Sequence, residues 1–501
     1  MNHNIFLLTA IVFASLISTQ CALGAIPFSN IDSACRYSQP DYGYADLRDG
    51  KLKVTLYPDT GLIEGEATLW SRIKGRPGKF PFLLHSRANI RSITTSKNCN
   101  LRWCRDGNLV VVTLPESLQG NRHIVLYIKW LVKVGGPSEK GPITPYLTEK
   151  GAYLPSSLLW HPRGMYGDGA RWKMTVKSPL KWKMEATGIQ TERYFKGHGL
   201  IHRFSMDQDV NGLALVAGNL RQVERKHFGG GTLSCYSPWK MDERSNLGRY
   251  GNHFRNVLKF FKRHFGEPCF KRYAIVEMAG QPSAPHFRIA AENSFLVVSA
   301  PPSKLKGPFL EFVTTELARH WIGATGAVHD SLSEALAIYL GLLAVRKLDS
   351  REAFLTIMRN KAMVFEDAAT YSENRLLPTD LGGRGILTPG ANGRLSAING
   401  LGTNVSSQTY DILVRKKAPL LLACLEEAAG GVKPFVAIVR KFLGYHRRNG
   451  SGGWIEFMGM YERISGIDLS NFALLYIDGP GLPPMVAQKV GYDKLPPVEE
   501  K

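Results

Sequence analysis

The chain has 501 residues, of which 44% are hydrophobic and 21% are charged. So much apolar sequence excludes a disordered chain and a small disulfide-stapled domain, and it predicts a globular protein of two or more domains. The 63 Lys and Arg residues outnumber the 42 Asp and Glu residues, which gives a net charge of +21. An acidic partner or surface is therefore one expectation.

The basic residues are spread over many segments, such as KSPLKWKMEA, ERKH and VRKK, and no nucleic-acid-binding signature accompanies them. The sequence therefore predicts no nucleic-acid partner. Ordinary solvated basic faces are one interpretation of these segments. Adhesion to an anionic envelope surface, either a polymer or lipid head groups, is the other.

Residues 1–25 are typical of a signal peptide, because the nearly continuous apolar run Ile5–Ile17 is followed by small residues. The run is shorter than the roughly 20 residues that span a bilayer. No later segment is that apolar. We therefore expect an exported protein, periplasmic or secreted, without a transmembrane helix after cleavage. A lipoprotein anchored at Cys21 is the alternative, although the preceding Gln20 is bulky for such a cleavage site.

Six cysteines follow the predicted cleavage site, in a compartment where disulfides persist. Cys99 and Cys104 bracket a turn-sized loop and are the favoured pair. Cys424 lies in the apolar helical run LLLACLEEAA, which favours a buried thiol.

The stretch 44–225 alternates apolar and polar residues in short runs such as HIVLYIKWLVKV, separated by turn residues, which predicts an all-β domain. From Met241 onward apolar residues recur at helical spacing. A short β segment, RYAIVEM and SFLVVSA, lies within this part of the chain and precedes most of the helical runs. Residues 377–408 read as a long Gly/Pro/Asn-rich loop. The fold class is therefore α+β and multidomain, with an all-β part followed by a mainly helical part.

Two predicted helices carry the functional signal. They read TTELARHWIG (314–323) and SLSEALAIYLGLLAV (331–345). They resemble the core of the membrane alanyl aminopeptidase family of zinc gluzincins, roughly H-E-L-A-H-Q-W-F-G followed by N-E-G-F-A-x-Y. The loop between the two motifs is four residues shorter here than the family's usual eighteen.

Other segments match this family in order along the chain: GLIEGEATL (61–69), LLWHP (158–162), AAEN (290–293) and SGIDLSNFALLYIDGPGLP (465–483). The resemblance implies a saddle-like N-terminal β domain followed by a thermolysin-like, mainly helical catalytic-type domain. The domains expected after the signal peptide 1–25 are a β domain over 26–228, a gluzincin domain over 229–485 and a tail over 486–501.

The zinc ligands of that family are two histidines one helical turn apart and a glutamate from the next helix. The matching positions are Thr315, Arg319 and Glu334. A guanidinium stays charged, and at roughly 4 Å and an effective dielectric near 20 it would cost a divalent ion about 8 kcal/mol. We expect no metal cofactor, and we expect Arg319 to fill the vacated place and to pair with Glu334, Glu316 or both.

A displaced zinc site formed by Glu316, His320 and Glu334 is the alternative. Glu316 and His320 are one turn apart, but this pair faces about 100° away from the ligand face of the helix. A packed or hydrogen-bonded imidazole is the simpler interpretation of His320. Zinc is an expected cofactor only if this displaced site is functional.

The resemblance assigns two further catalytic positions. Glu316 takes the place of the general base, but without the ion it has no zinc-bound water to activate. Arg415 takes the place of the transition-state tyrosine. Tyr410 is a stand-in for that phenol, or else a core tyrosine at a helix start.

For substrate binding, the resemblance assigns Glu292, together with Asn293, to the grip on a free α-amine. A buried carboxylate binds an ammonium group without any metal. The alternative for Glu292 is an ordinary glutamate in a surface turn.

The sequence thus predicts a catalytically silent pseudopeptidase that binds peptide N-termini or a protein partner in the remnant cleft. An active metallo-aminopeptidase with a displaced metal site is the second reading, and a basic adhesion protein unrelated to peptides is the third.

Overall fold

The computed structural model describes residues 44–74, 78–95, 100–119, 123–136, 143–164, 169–206, 208–210, 212–229, 231–238, 247–267, 270–278, 288–299, 308–322, 330–373, 410–449, 452–477, 482–483 and 486. The predicted signal peptide, the loop 377–408 and nearly all of the predicted tail lie outside these residues. No helix among the described residues is both long enough and apolar enough to span a membrane.

Strands fill the first part of the chain. They are β1 Tyr44–Tyr57, β2 Leu62–Lys74, β3 Lys79–Leu83, β4 Asn89–Thr95, β5 Trp103–Asp106, β6 Leu109–Thr113, β7 His123–Lys133, β8 Tyr146–Thr148, β9 Gly151–Leu154, β10 Arg163–Gly164, β11 Arg171–Ser178, β12 Lys183–Ala186, β13 Ile189–Lys196, β14 Gly199–Ser205, β15 Leu215–Gly218, β16 Arg221–His227, β17 Thr232–Ser237, β18 Arg272–Glu277, β19 Arg288–Glu292 and β20 Phe295–Ser299.

Helices dominate the second part. They are α1 Glu116–Gln119, α2 Leu247–Phe265, α3 Pro308–Ile322, α4 Asp330–Leu348, α5 Arg351–Glu373, α6 Ala418–Ala428, α7 Val432–Asn449, α8 Trp454–Ser465 and α9 Ser470–Phe472, with short π-helical segments over Asp411–Lys417 and Ala473–Ile477. The predicted α+β class, with β structure first and helices second, is confirmed.

The described strands form four sheets. Their strand orders are β13-β14-β11-β1-β2-β7-β4, β10-β3-β6-β5, β12-β15-β9-β8 and β16-β17-β18-β20-β19. By packing, the described residues fall into two compact units. The first runs to Asn252 and resumes at Phe270–Ser299, and the second comprises His253–Glu267 and the residues from Pro308 onward. The boundary expected at residues 228/229 stays a prediction.

The core of the seven-stranded sheet follows from its alternating strands. In β7, every second residue from Ile124 to Val132 is buried. Trp130 is among them, and it donates from Nε1 to the Trp160 carbonyl at 3.0 Å. Gly65 faces Trp130 across the β2–β7 pair, and a Cβ there would lie 2.2 Å from the indole ring. Gly65, the second glycine of GLIEGEATL, is thus required by close packing.

Two further sheets of the first unit share a second core. It joins the β8–β9–β15 side to β17, β18 and β20 through side chains that include Tyr153, Val216, Val276 and Phe295. Phe295 also pairs across the sheet with Glu292 at the end of β19. This packing is what brings Glu292 next to β9.

One of the two predictions about cysteines is confirmed, and the other is not tested. Cys424 is buried in α6, as predicted. Cys104 is exposed and forms no disulfide with another described residue, and its favoured partner Cys99 lies outside the described residues. That pairing stays a prediction.

The imidazole of His161, in the LLWHP segment, gives the first unit an acid-sensitive core. The Leu213 N–H donates to Nε2 at 3.0 Å, so Nδ1 carries the proton and donates to the Pro162 carbonyl at 2.9 Å. Burial lowers the pKa of His161 to about 3. Because an unfolded histidine titrates near 6.5, the unfolded chain binds more protons between these values, and stability falls as the pH drops below about 6.5.

At about pH 5 this single group is expected to remove about 2 kcal/mol of the free energy of unfolding relative to about pH 7.5. The measurement is urea unfolding of the native protein and of His161→Gln at both pH values. The variant should be less stable at neutral pH and should lack that part of the acid loss. An equal acid loss in both proteins would show that the imidazole is protonated in the folded state.

Candidate functional site

The two motif helices are confirmed as α3 and α4, and a glycine sets their separation. Gly341 of α4 lies against Thr315 of α3, and a Cβ at Gly341 would come within 2.7 Å of the Thr315 nitrogen. Gly341 follows Glu334 by two turns, while Thr315 precedes Arg319 by one turn. The close approach at Gly341 therefore continues along the helix pair and places Arg319 beside Glu334.

Packing fixes the orientation of α3. Trp321 is buried, stacks at 5.3 Å between ring centroids on Phe261 of α2, and donates from Nε1 to the Gly266 carbonyl at 3.2 Å. Leu317 and Ala318 are also buried. The opposite helix α4 is apolar along most of its length, so both helices are held by core contacts outside the charged positions.

Arg319 forms the centre of an ion-pair cluster in the second unit. Its Nε lies 3.0 Å from Oε2 of Glu334, and its Nη2 lies 2.7 and 2.6 Å from Oε1 and Oε2 of the same carboxylate. Its Nη1 bonds to Oε1 of Glu316 one turn earlier on α3. The predicted ion pairs of Arg319 with both glutamates are confirmed.

A second guanidinium reaches the same carboxylate. Nε of Arg415, in the π-helical segment Asp411–Lys417, lies 3.0 Å from Oε1 of Glu334. Lys361 of α5 holds this segment in place, because its ammonium group donates to the Arg415 carbonyl at 3.2 Å and pairs with Glu311 of α3 at 2.7 Å. The cluster thus ties α3, α4, α5 and the π-helical segment together.

The electrostatics favour the ionised pair. Burial opposes the charge on Arg319, but the carboxylates of Glu316 and Glu334 outweigh it and raise the pKa of the guanidinium. Burial alone would raise the pKa of Glu334, yet Arg319 and Arg415 hold it below its ordinary value. The Arg319–Glu334 pair therefore stays charged across the physiological pH range.

These residues do not fit a catalytic zinc ion. Zinc needs three protein ligands and an open position. The resemblance assigns two of those ligand positions to Thr315 and Arg319, neither of which is a usual zinc ligand, and both oxygens of Glu334 are engaged by guanidinium nitrogens. The guanidinium of Arg319 also places a permanent positive charge beside Glu334.

The displaced site receives no support either. Within the part of the chain that the structure describes, no three His, Cys, Asp or Glu side chains converge on a place for a metal. Glu316 and Glu334 are both bound by Arg319, and His320 is buried on the helix beside Trp321. Helical geometry is the reason, since His320 points away from the face that carries Arg319.

Glu292 is a buried carboxylate in the first unit and is only 7% exposed, so its interpretation as a surface glutamate is wrong. Tyr153 donates its hydroxyl to Oε1 at 2.9 Å, and Ser156 donates its hydroxyl to Oε2 at 2.9 Å and its backbone N–H at 3.3 Å. These donors are neutral. Burial and the Glu292 carboxylate raise the pKa of Tyr153 well above its usual range, so the phenol keeps its proton and remains a donor.

Two other assigned residues have less direct positions. The Asn293 side chain donates to the Gly212 carbonyl at 3.0 Å, which fixes the turn after β19. Tyr410 is half-buried at the start of the π-helical segment, and the side chain of that segment that reaches Glu334 is Arg415. The role of Tyr410 as a stand-in stays a prediction.

Several contacts of the site could not be predicted from the sequence. Tyr153 and Ser156 lie 139 and 136 residues before Glu292, and no local spacing connects them. Arg415 was placed by resemblance at the tyrosine position, but its ion pair with Glu334 was not expected. One signal was available. Arg415 is a basic residue at the tyrosine position, and the resemblance places that position near Glu334, which was already expected to pair with Arg319.

Solved structures resemble this arrangement of elements. An M1 zinc metallopeptidase from Deinococcus radiodurans is 16% identical, with a TM-score of 0.63 over 89% of this chain and 97% of that chain. A variant of it bound to a Tyr-Ser-Ala substrate gives the same values. Yeast LTA4 hydrolase is 14% identical, with a TM-score of 0.64 over 91% of this chain and 72% of that chain.

This chain has the fold of the M1 zinc metallopeptidases. No family model and no curated protein matches its sequence. Within this M1 fold, the helix pair that the motifs predicted is present, and an arginine–glutamate ion pair joins the two helices. The fold implied by the resemblance is therefore confirmed.

Proposed function

We propose that this protein is an exported, catalytically silent member of the aminopeptidase fold that binds the free N-termini of peptides or of a protein partner. The observation that supports silence is the double hydrogen bond from Arg319 to Glu334. It uses the one ligand-type side chain among the three family positions and puts a fixed cation beside it. No zinc-activated water is then available for peptide hydrolysis.

The same arginine also binds the residue at the general-base position through another nitrogen. Glu316 holds the position of the general base, and Arg319 binds its carboxylate. The ion pair occupies a carboxylate oxygen that a general base would use. Silence therefore has two supports, the absent metal ligands and the engaged carboxylate of Glu316.

Glu292 supports the binding half of the proposal. Its carboxylate is buried and accepts hydrogen bonds from the hydroxyls of Tyr153 and Ser156, which hold its oxygens in a fixed position. An α-ammonium group would form charge-assisted hydrogen bonds with it. A similar Deinococcus radiodurans protein is bound to Tyr-Ser-Ala in one structure, and a similar two-domain M1 zinc metallopeptidase is bound to L-arginine in another, which favours ligands with a free amine.

Turnover of chromogenic alanyl and leucyl amides tests silence. The purified protein should release no product beyond the uncatalysed rate, with or without added zinc. Bound zinc is measured on the same sample. Turnover that a chelator abolishes would instead favour an active metallo-aminopeptidase, and one zinc per chain that is lost in Glu334→Gln would locate its metal.

Binding of a short peptide with a free N-terminus tests the second half. Glu292→Gln keeps the size of the side chain but removes its charge, so the affinity should fall about 10- to 100-fold, the range for a lost charge-assisted hydrogen bond. Titration calorimetry measures it. The matched variant Glu192→Gln changes an exposed carboxylate of the same unit and should bind like the native protein.

The N-acetylated form of the same peptide serves as the ligand control. It should bind native protein as weakly as the free peptide binds Glu292→Gln. Equal binding of the free and acetylated peptides to the native protein would contradict recognition of the amine.

A further inference from the structure

Two turns of the first unit meet at one end of the seven-stranded sheet. Ser178, the last residue of β11, pairs with Leu200 near the start of β14. Lys196 of β13 pairs with Gly199 across the hairpin loop that joins β13 to β14. The turn after β11 and this hairpin loop therefore lie side by side. We call residues 177–182 and 193–199 the sheet tip.

The sheet tip exposes two large apolar side chains. Phe195 is 73% exposed, the largest fraction among the exposed large hydrophobic residues of the described chain, and Leu180 is 47% exposed. The Trp182 N–H donates to the Pro179 carbonyl at 3.2 Å, which places Leu180 and Lys181 at the centre of the turn. Single exposed apolar residues are ordinary, but Phe195 and Leu180 are two such residues on adjoining turns, and we call them the apolar pair.

Basic residues lie on the same two turns as the apolar pair. Lys177, Lys181, Arg193 and Lys196 belong to the sheet tip, and none of the four forms an ion pair with a carboxylate of the described residues. Gly199 makes room for the stem of Lys177, since a Cβ there would lie 2.8 Å from the Lys177 Cε.

The carboxylates near the sheet tip do not neutralise it. Glu192, next to Arg193 in sequence, is bound by Arg203 at 2.7 Å. Asp59 belongs to the neighbouring turn between β1 and β2. The sheet tip thus carries four basic residues, and among the described residues Asp59 of the neighbouring turn is the carboxylate left to balance them. The sheet tip is therefore cationic.

We propose that the sheet tip docks on an anionic lipid bilayer, with Phe195 and Leu180 entering the interface and the basic groups meeting the phosphates of the head groups. Apolar side chains ringed by Lys and Arg are the arrangement that binds the boundary between head groups and acyl chains. An acidic polymer would use the charges but would leave Phe195 and Leu180 in water. The sheet tip contains neither Glu292 nor any residue of the Arg319 cluster, so this inference does not depend on the proposed function.

Sedimentation with lipid vesicles tests the proposal. The native protein should partition onto vesicles of equal parts phosphatidylcholine and phosphatidylglycerol, and much less onto phosphatidylcholine alone. Phe195→Ser with Leu180→Ser should weaken partitioning at least about tenfold, as expected for removing buried apolar side chains. Lys181→Gln with Lys196→Gln should weaken it about fivefold for each lysine.

Matched variants control for general effects of charge and hydrophobicity. Ile189→Ser changes an exposed apolar residue at the other end of the same strand β13, and Lys150→Gln changes an exposed lysine in the turn between β8 and β9. Both should partition like the native protein. All variants are exposed-site changes, and circular dichroism should confirm an unchanged fold.

Two results would overturn the proposal. One is equal partitioning onto neutral and anionic vesicles, or none onto either. The other is binding, to vesicles and to a soluble acidic polysaccharide alike, that requires the lysines but is unchanged by the Phe195 and Leu180 substitutions. That result would make the sheet tip a binding site for a polyanion.

Discussion

Replacing Arg319 with Met is expected to lower the free energy of unfolding by about 3 kcal/mol, because it leaves Glu334 and Glu316 facing the protein without their main partner. Removing one member of a buried ion pair costs about 3–5 kcal/mol. The lower end applies here, since the Arg319 side chain is 31% exposed and Glu334 keeps Arg415. Urea denaturation at neutral pH measures the change.

Two comparisons make that result specific. Arg203→Met removes an arginine from the exposed pair with Glu192, whose side chains are 46% and 50% exposed, and it should cost at most about 1 kcal/mol. Arg319→Met combined with Glu334→Leu removes both members of the Arg319–Glu334 pair and should recover part of the loss, since Glu316 and Arg415 each still lose one contact. If Arg319→Met lowered the free energy of unfolding no more than Arg203→Met, the ion pairs of Arg319 would not stabilise the helix pair.

Introducing the residues that the resemblance assigns to the metal site is expected to raise the zinc content well above that of the native protein. The triple variant Thr315→His, Arg319→His and Arg415→Tyr supplies two imidazoles one turn apart beside Glu334 and removes both guanidinium groups. We expect about one zinc ion per chain after dialysis, because three such ligands hold a catalytic zinc. Metal analysis by mass spectrometry measures it.

The variant that retains Arg415 isolates the effect of charge. A guanidinium about 4 Å from a divalent ion costs about 8 kcal/mol at an effective dielectric near 20. Thr315→His with Arg319→His alone should therefore hold far less zinc than the triple variant. A folded triple variant without zinc would show that the missing histidines and the extra cations are not what excludes the metal.

The helix pair could be predicted from the periodicity of the sequence, and its central contact from the resemblance that assigns Arg319 and Glu334 to neighbouring ligand positions. The helical repeat places residues 315 and 319 on one face of TTELARHWIG, and a permanent cation on a face directed at the next helix is expected to find a carboxylate there. Arg319 accordingly binds Glu334 and Glu316. The β-then-helix order was likewise visible in the change of period from two to 3.6.

The surroundings of these residues could not be predicted in the same way. Arg415 meets Glu334 only because Lys361 fixes the π-helical segment against α3 and α5. Glu292 is buried because two sheets pack over a shared core that includes Tyr153. Such contacts join segments far apart in the chain, and their geometry depends on tertiary packing, which hydrophobic patterns do not record.

The arginine–glutamate pair also changes what holds α3 and α4 together. In a zinc enzyme the ion links the two helices, and a chelator can remove it. Here a covalently attached side chain makes the link, so depletion of transition metals leaves it intact. Its weakness is strong acid, because the depressed pKa of Glu334 means that the pair contributes at neutral pH and is released only when the pH falls through that lowered value.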